Sequence, residues 1–207
     1  SRITDIIRGD VYSDYEATEA CFKETSGDYD ILHLAMHTLV DDHNPMYSKM
    51  AFTQKENSSE DGFLNTYEIY SMNLESRMAV LSSCNTGTGK LEKGEGVISL
   101  ARGFKYAGCP SIVMTMWPVE DNSSIRLMEY FYRAIAQGKS KDEALREAKL
   151  KFLEKADPLH AHPYFWAGYI LIGDQSALYM PRWIWWALAG AGLLVVAGLV
   201  VTIVLRR

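Results

Sequence analysis

The sequence predicts an α/β fold with a mostly parallel sheet and helices on both faces, followed by one membrane-spanning helix. Three observations predict it. Short apolar runs suited to buried strands alternate with segments of helical spacing along residues 31–172. Two of these runs lead into residues that carry chemistry, His37 after the first and Cys84 after the second. Finally, 23 residues at 183–205 contain no charge at all.

Taken in order, residues 3–11 read as a short strand. An amphipathic segment opens at Asp14 or Thr18, passes through Ala20, Cys21 and Phe22, and stops at Gly27. Cys21 on such a face is a small buried hydrophobe. A Gly-Asp turn feeds a strand over 31–36. Residues 38–65 read as irregular, with a hairpin strand at 50–54 and a solvated turn at 55–62. Asn65 and Thr66 cap a short helix reaching Ile69 and Tyr70. The apolar run 78–83 is the central strand, and Gly87 and Gly89 break the chain just beyond Cys84. Val97, Leu100, Ala101 and Phe104 give residues 94–107 a helical spacing, which Gly108 and Pro110 end. Residues 111–117 form another buried strand, closed by Pro118. Asp121 to Ser123 supply an N-cap, and Ile125, Met128, Phe131, Tyr132 and Ile135 mark the buried face of the helix that follows, which Gly138 ends. Ser140 with Glu143 is a capping-box pattern. Leu145, Ala148 and Phe152 carry the next helix, and residues 169–172 form the last strand.

Composition limits the functional classes. The 207 residues are 48% hydrophobic and 23% charged, as in a globular chain, and the formal net charge is −5. No Lys/Arg cluster marks a nucleic-acid surface. The three cysteines, Cys21, Cys84 and Cys109, have no CxxC spacing, so neither a disulfide framework nor a zinc site is expected. His33 and His37 share strand parity but lack a third ligand, and no metal is assigned. Thr88-Gly-Lys90 is not a phosphate loop: Cys84 stands at the first glycine and Leu91 at the Ser/Thr. No cofactor is called for.

A thiol and an imidazole at the carboxyl ends of two neighbouring parallel strands make a nucleophile–base pair, because ligands bind at that end of an open α/β sheet. An ordinary thiol is only a few per cent thiolate at neutral pH, and an adjacent imidazole raises that fraction. The small residues Ser82, Ser83, Thr86 and Gly87 let backbone N–H groups approach a developing oxyanion. Asp41, Asp42, Glu92 and Glu95 flank the two strand ends and would favour a basic P1 residue; as loop charges they are equally well solvated.

The stretches Leu32-His-Leu-Ala-Met-His37 and Val80-Leu-Ser-Ser-Cys-Asn-Thr-Gly87 resemble the histidine and cysteine boxes of CHAT domains, which are caspase-like and related to separase. Residues 96–108, 111–121 and 162–173 look like further blocks of the same family, so the resemblance covers residues 28–173 in order. It implies a caspase-like three-layer sandwich and a cysteine endopeptidase acting on a protein or peptide substrate. It carries His37 over as general base, Cys84 as nucleophile, and the backbone N–H groups of Thr38 and Cys84 as the oxyanion hole. The family usually has Gly where this chain has Thr38, and a residue of β-branched type restricts the backbone there. It also implies tetratricopeptide repeats upstream. A second reading keeps the fold and makes it a catalytically silent interaction module.

The expected organisation is a CHAT-like domain at 1–178 whose N-terminal edge is missing, a linker at 179–182, a transmembrane helix at 183–205 and a basic tail at 206–207. Trp183, Trp185 and Trp186 form an aromatic belt, with Arg182 and the Arg206-Arg207 pair bracketing the run. The expected location is a membrane, reached by a single C-terminal span in contact with lipid.

Overall fold

The computed structural model of the chain describes residues 3–56, 58–82 and 95–179, the side chains of 95–97 excepted. The central sheet has four strands in the order β1 (Ile31–Leu34), β5 (Met78–Leu81), β6 (Ser111–Thr115) and β7 (Tyr169–Gly173). β1 and β5 are parallel, as are β5 and β6, and β7 runs antiparallel to β6. The mostly parallel sheet expected from the alternating pattern is therefore present, with one reversed strand at its edge.

Period-two alternation splits the strands between two cores. Leu32, Leu34, Ala79, Leu81, Ile112 and Met114 pack on one face with Leu100, Ala101 and Phe104 of α3 (Glu95–Tyr106). Met78, Val80, Val113 and Tyr169 face the other way, against α4 (Asp121–Ala136) and α5 (Lys141–Glu154). β5 and β6 are buried along their whole length, as expected for strands covered on both faces.

Residues 38–65 are more ordered than the sequence suggested. They build a second, antiparallel sheet from β2 (Thr38–Leu39), β3 (Lys49–Ala51) and β4 (Phe63–Asn65). Met50 and Leu64 of this sheet join the first core with Phe22 of α1 (Glu19–Thr25). The short helix α2 (Thr66–Ile69) starts as expected at Asn65, whose N–H donates to the Glu68 carboxylate at 2.9 Å. Thr18 accepts from the Cys21 N–H at 3.2 Å and so caps α1, choosing between the two starts that the sequence offered.

Four local expectations are corrected. Residues 3–7 form a turn and not a strand: Ile6 and Ile7 N–H both donate to the Ile3 carbonyl, and the three isoleucines pack on the second core. Ile125 is 48% exposed, because the buried arc of α4 is centred on Phe131 and leaves Ile125 on its rim. The N-cap of that helix is Glu120, one residue earlier than expected. Ser140 is the N-cap of α5 but makes no side-chain capping bond; its hydroxyl bonds the Asp142 carboxylate instead.

The apolar run 183–205, the linker from 180 and the basic tail lie outside the described residues. Among the described residues no helix is long and apolar enough to cross a membrane.

Candidate functional site

The site is built on the adjoining carboxyl ends of β1 and β5. The two strands pair in the register Ile31↔Met78, Leu32↔Ala79, His33↔Val80 and Leu34↔Leu81. The Ser82 N–H donates to the Leu34 carbonyl at 3.1 Å and extends the pairing one step further. His37 follows Leu34 by three residues. Cys84 follows Leu81 by the same interval, and it lies outside the described residues.

His37 leaves the sheet edge exposed to solvent. Its carbonyl accepts the Ala51 N–H at 2.9 Å. In an antiparallel pair that bond makes Thr38 and Met50 the rung without hydrogen bonds between them. The Thr38 N–H therefore faces away from β3, toward the open edge of the second sheet. The Thr38 side chain is buried, and among the described residues its hydroxyl has no hydrogen-bond partner. Thr38 thus directs its side chain inward and turns its amide N–H away from β3.

His33 and His37 differ in exposure, His33 being half-buried and His37 exposed. His33 turns toward α4 on the side of the sheet where Ile31 packs. Its Nδ1 lies 2.8 Å from the Tyr132 hydroxyl and its Nε2 lies 2.9 Å from Ser82 Oγ. The imidazole and the Tyr132 ring are tilted by 33° with centroids 5.6 Å apart. Burial pushes the His33 imidazole down to about 4, so the ring is neutral at physiological pH. The sequence reading missed Ser82 and Tyr132 as its partners. The available signal was the histidine itself, because a polar group in an apolar strand requires buried hydrogen-bond partners.

The acidic residues near the two strand ends are placed differently from one another. The Asp41 carboxylate accepts from the N–H groups of His43 and Asn44 at 3.0 and 2.8 Å, and the Asp41 N–H donates to Ser48 Oγ at 2.9 Å, so this residue closes its own loop. Asp42 is half-buried beside it. Glu95 begins α3, and Glu92 lies outside the described residues. Of the other thiols, Cys21 is half-buried, and Cys109 is buried between α3 and β6, where burial pushes its thiol up to about 11.

One cluster has the look of a cation site. Carboxylate oxygens of Glu19, Glu60 and Glu68 lie within 4.8 Å of one another. The Lys23 ammonium already fills the space between them, at 2.6, 2.8 and 2.9 Å respectively. Burial favours the neutral amine, but bonds to three carboxylates outweigh it and raise the Lys23 pKa. The cluster is an ion-pair lock that ties α1 to the loop between β3 and β4 and to α2.

A parallel α/β core carrying a histidine strand end beside a second, parallel strand end is the arrangement of caspase-like domains. The chain belongs to the CHAT domain family, whose sequence model matches residues 2–174. It is 30% identical over 118 residues to human Tetratricopeptide repeat protein 28 and 29% identical over the same length to the mouse protein. Those matches cover 57% of this chain and 5% of each relative, so the chain spans about a twentieth of the curated proteins it resembles.

Proposed function

We propose that the chain is a membrane-tethered cysteine endopeptidase that cleaves peptide bonds through a His37–Cys84 dyad. The observation that carries this reading is the β1–β5 register, in which the paired Leu34 and Leu81 of two adjacent parallel strands precede His37 and Cys84 by three residues each in the sequence. His37 takes the thiol proton of Cys84, and the thiolate attacks the substrate carbonyl to form a C–S bond. The oxyanion accepts hydrogen bonds from the N–H groups of Thr38 and Cys84. Collapse breaks the C–N bond, and the imidazolium gives its proton to the leaving amine. Water, deprotonated by His37, then hydrolyses the thioester and restores the thiol. Asp42, Glu92 and Glu95 favour a substrate with a basic P1 residue. No metal or organic cofactor enters the scheme.

The test is cleavage of a peptide library, enriched in basic P1 residues, by the full chain. Cys84→Ala and His37→Ala should each reduce cleavage by at least about a thousandfold, the scale on which one member of a catalytic unit is lost. Full activity in both variants would end the proposal.

A second reading is favoured by the two relatives, both tetratricopeptide repeat proteins. In it the domain is a silent interaction module, working beside such repeats and tethered to the membrane. Wild-type protein without cleavage, and with Cys84 no more reactive than Cys21, would select that reading.

A further inference from the structure

We propose that His33 is a positioning residue for the cysteine site, linking Tyr132 to Ser82 through a hydrogen-bonded relay of one polarity. The inference rests on the reading of Cys84 as the nucleophile, since the relay ends two residues before it. Its geometry is independent of that reading.

The polarity follows from counting donors. A neutral imidazole has one N–H and one bare nitrogen. Tyr132 is 1% exposed, and among the described residues its hydroxyl has His33 Nδ1 as its one hydrogen-bond partner. A buried O–H needs an acceptor, so Tyr132 donates and Nδ1 accepts. The proton of His33 is thereby placed on Nε2, which donates to Ser82 Oγ. With its oxygen accepting from His33, Ser82 keeps its own proton to donate onward from the strand end.

The relay also fixes where that strand end lies. Ser82 is held twice, by its N–H on the Leu34 carbonyl and by its hydroxyl on His33. His33 is in turn held by Tyr132 on α4, in the second core. The exit of β5 is thus tied both to β1 and, through His33, to α4. A shift of about an ångström in a reacting group can cost on the order of a hundredfold in rate, so anchoring this exit is a functional requirement of the dyad.

Two measurements on the full chain test the relay. The first is the 15N NMR shift of each His33 ring nitrogen at neutral pH, which reads the tautomer without any need for activity. Nδ1 bare and Nε2 protonated is the expected result; the opposite tautomer overturns the relay. The second is site-resolved alkylation of Cys84 by iodoacetamide across pH 5 to 9, in wild type, Ser82→Ala, Tyr132→Phe and His37→Ala. Thermal melts confirm that each variant is folded. Ser82→Ala and Tyr132→Phe should each slow Cys84 alkylation about tenfold near neutral pH, and the double variant should be no slower than either single one. If His37→Ala slows alkylation while folded Ser82→Ala and Tyr132→Phe react at the wild-type rate, the positioning role is overturned and the dyad stands. If His37→Ala itself has no effect, the dyad fails, and the positioning role fails with it.

Discussion

Two histidines of one box, four residues apart, differ in what surrounds each ring. His37 emerges from the sheet edge and meets solvent, whereas His33 is enclosed between β5 and α4. Burial holds the His33 imidazole at about 4 in the folded chain against 6.5 when unfolded. Between those values the unfolded chain binds a proton that the native chain does not, so acidification favours unfolding. The stabilising contribution is fully present above about pH 6.5 and is lost as the pH falls through about 4. It amounts to roughly 3 kcal/mol at most. Urea unfolding at pH 7 and pH 4.5 should therefore show a smaller loss of stability for His33→Gln than for wild type. An identical loss in both would mean that His33 is not held neutral. None of this was visible in the spacing of the box, which showed only that the two histidines share strand parity. Parity places side chains on a face, but His37 lies beyond the last rung, where parity no longer applies.

At the scale of elements, legibility followed length and burial. β5 and the centre of β6 are apolar runs, both strands are buried on both faces, and both were readable where they lie. The strands of the second sheet have two or three residues each, too few to show alternation, and most of that region read as loop. The direction of β7 was not readable either. Its run of Tyr169, Ile170, Leu171 and Ile172 fits either orientation; the strand runs antiparallel to β6, and Gly168 just before it packs against the Trp117 indole. The Gly108 turn between α3 and β6 was legible as a helix end, and the structure explains why glycine is needed. Its φ is +110°, and a Cβ there would lie 2.4 Å from the Leu74 carbonyl oxygen. Gly108→Ala should destabilise the chain by about 2 kcal/mol or more, measured by urea unfolding. A loss below about 0.5 kcal/mol would show that the turn relaxes freely.

At the scale of the whole molecule, the sheet register sets the strands of two distant boxes side by side. The parallel pairing of β1 with β5 sets Leu34 and Leu81 on one rung, three residues before His37 and Cys84 in the sequence, which spacing alone did not establish. The family match supports the same frame over residues 2–174, leaving the apolar run 183–205 to act outside it. If that run is a membrane anchor, the full chain should float with phosphatidylcholine vesicles, and deletion of residues 180–207 should leave it at the bottom of the gradient. Equal flotation of both forms would contradict the anchor. Peptidase chemistry in this chain requires that His37 activate Cys84. Site-resolved iodoacetamide labelling at pH 7 compares Cys84 with Cys21 and with the buried Cys109 in the same folded molecule. Cys84 should react fastest and Cys109 slowest, and His37→Ala should bring Cys84 down to the rate of Cys21. Slow labelling of Cys84 in wild type, unchanged by His37→Ala, would contradict the dyad.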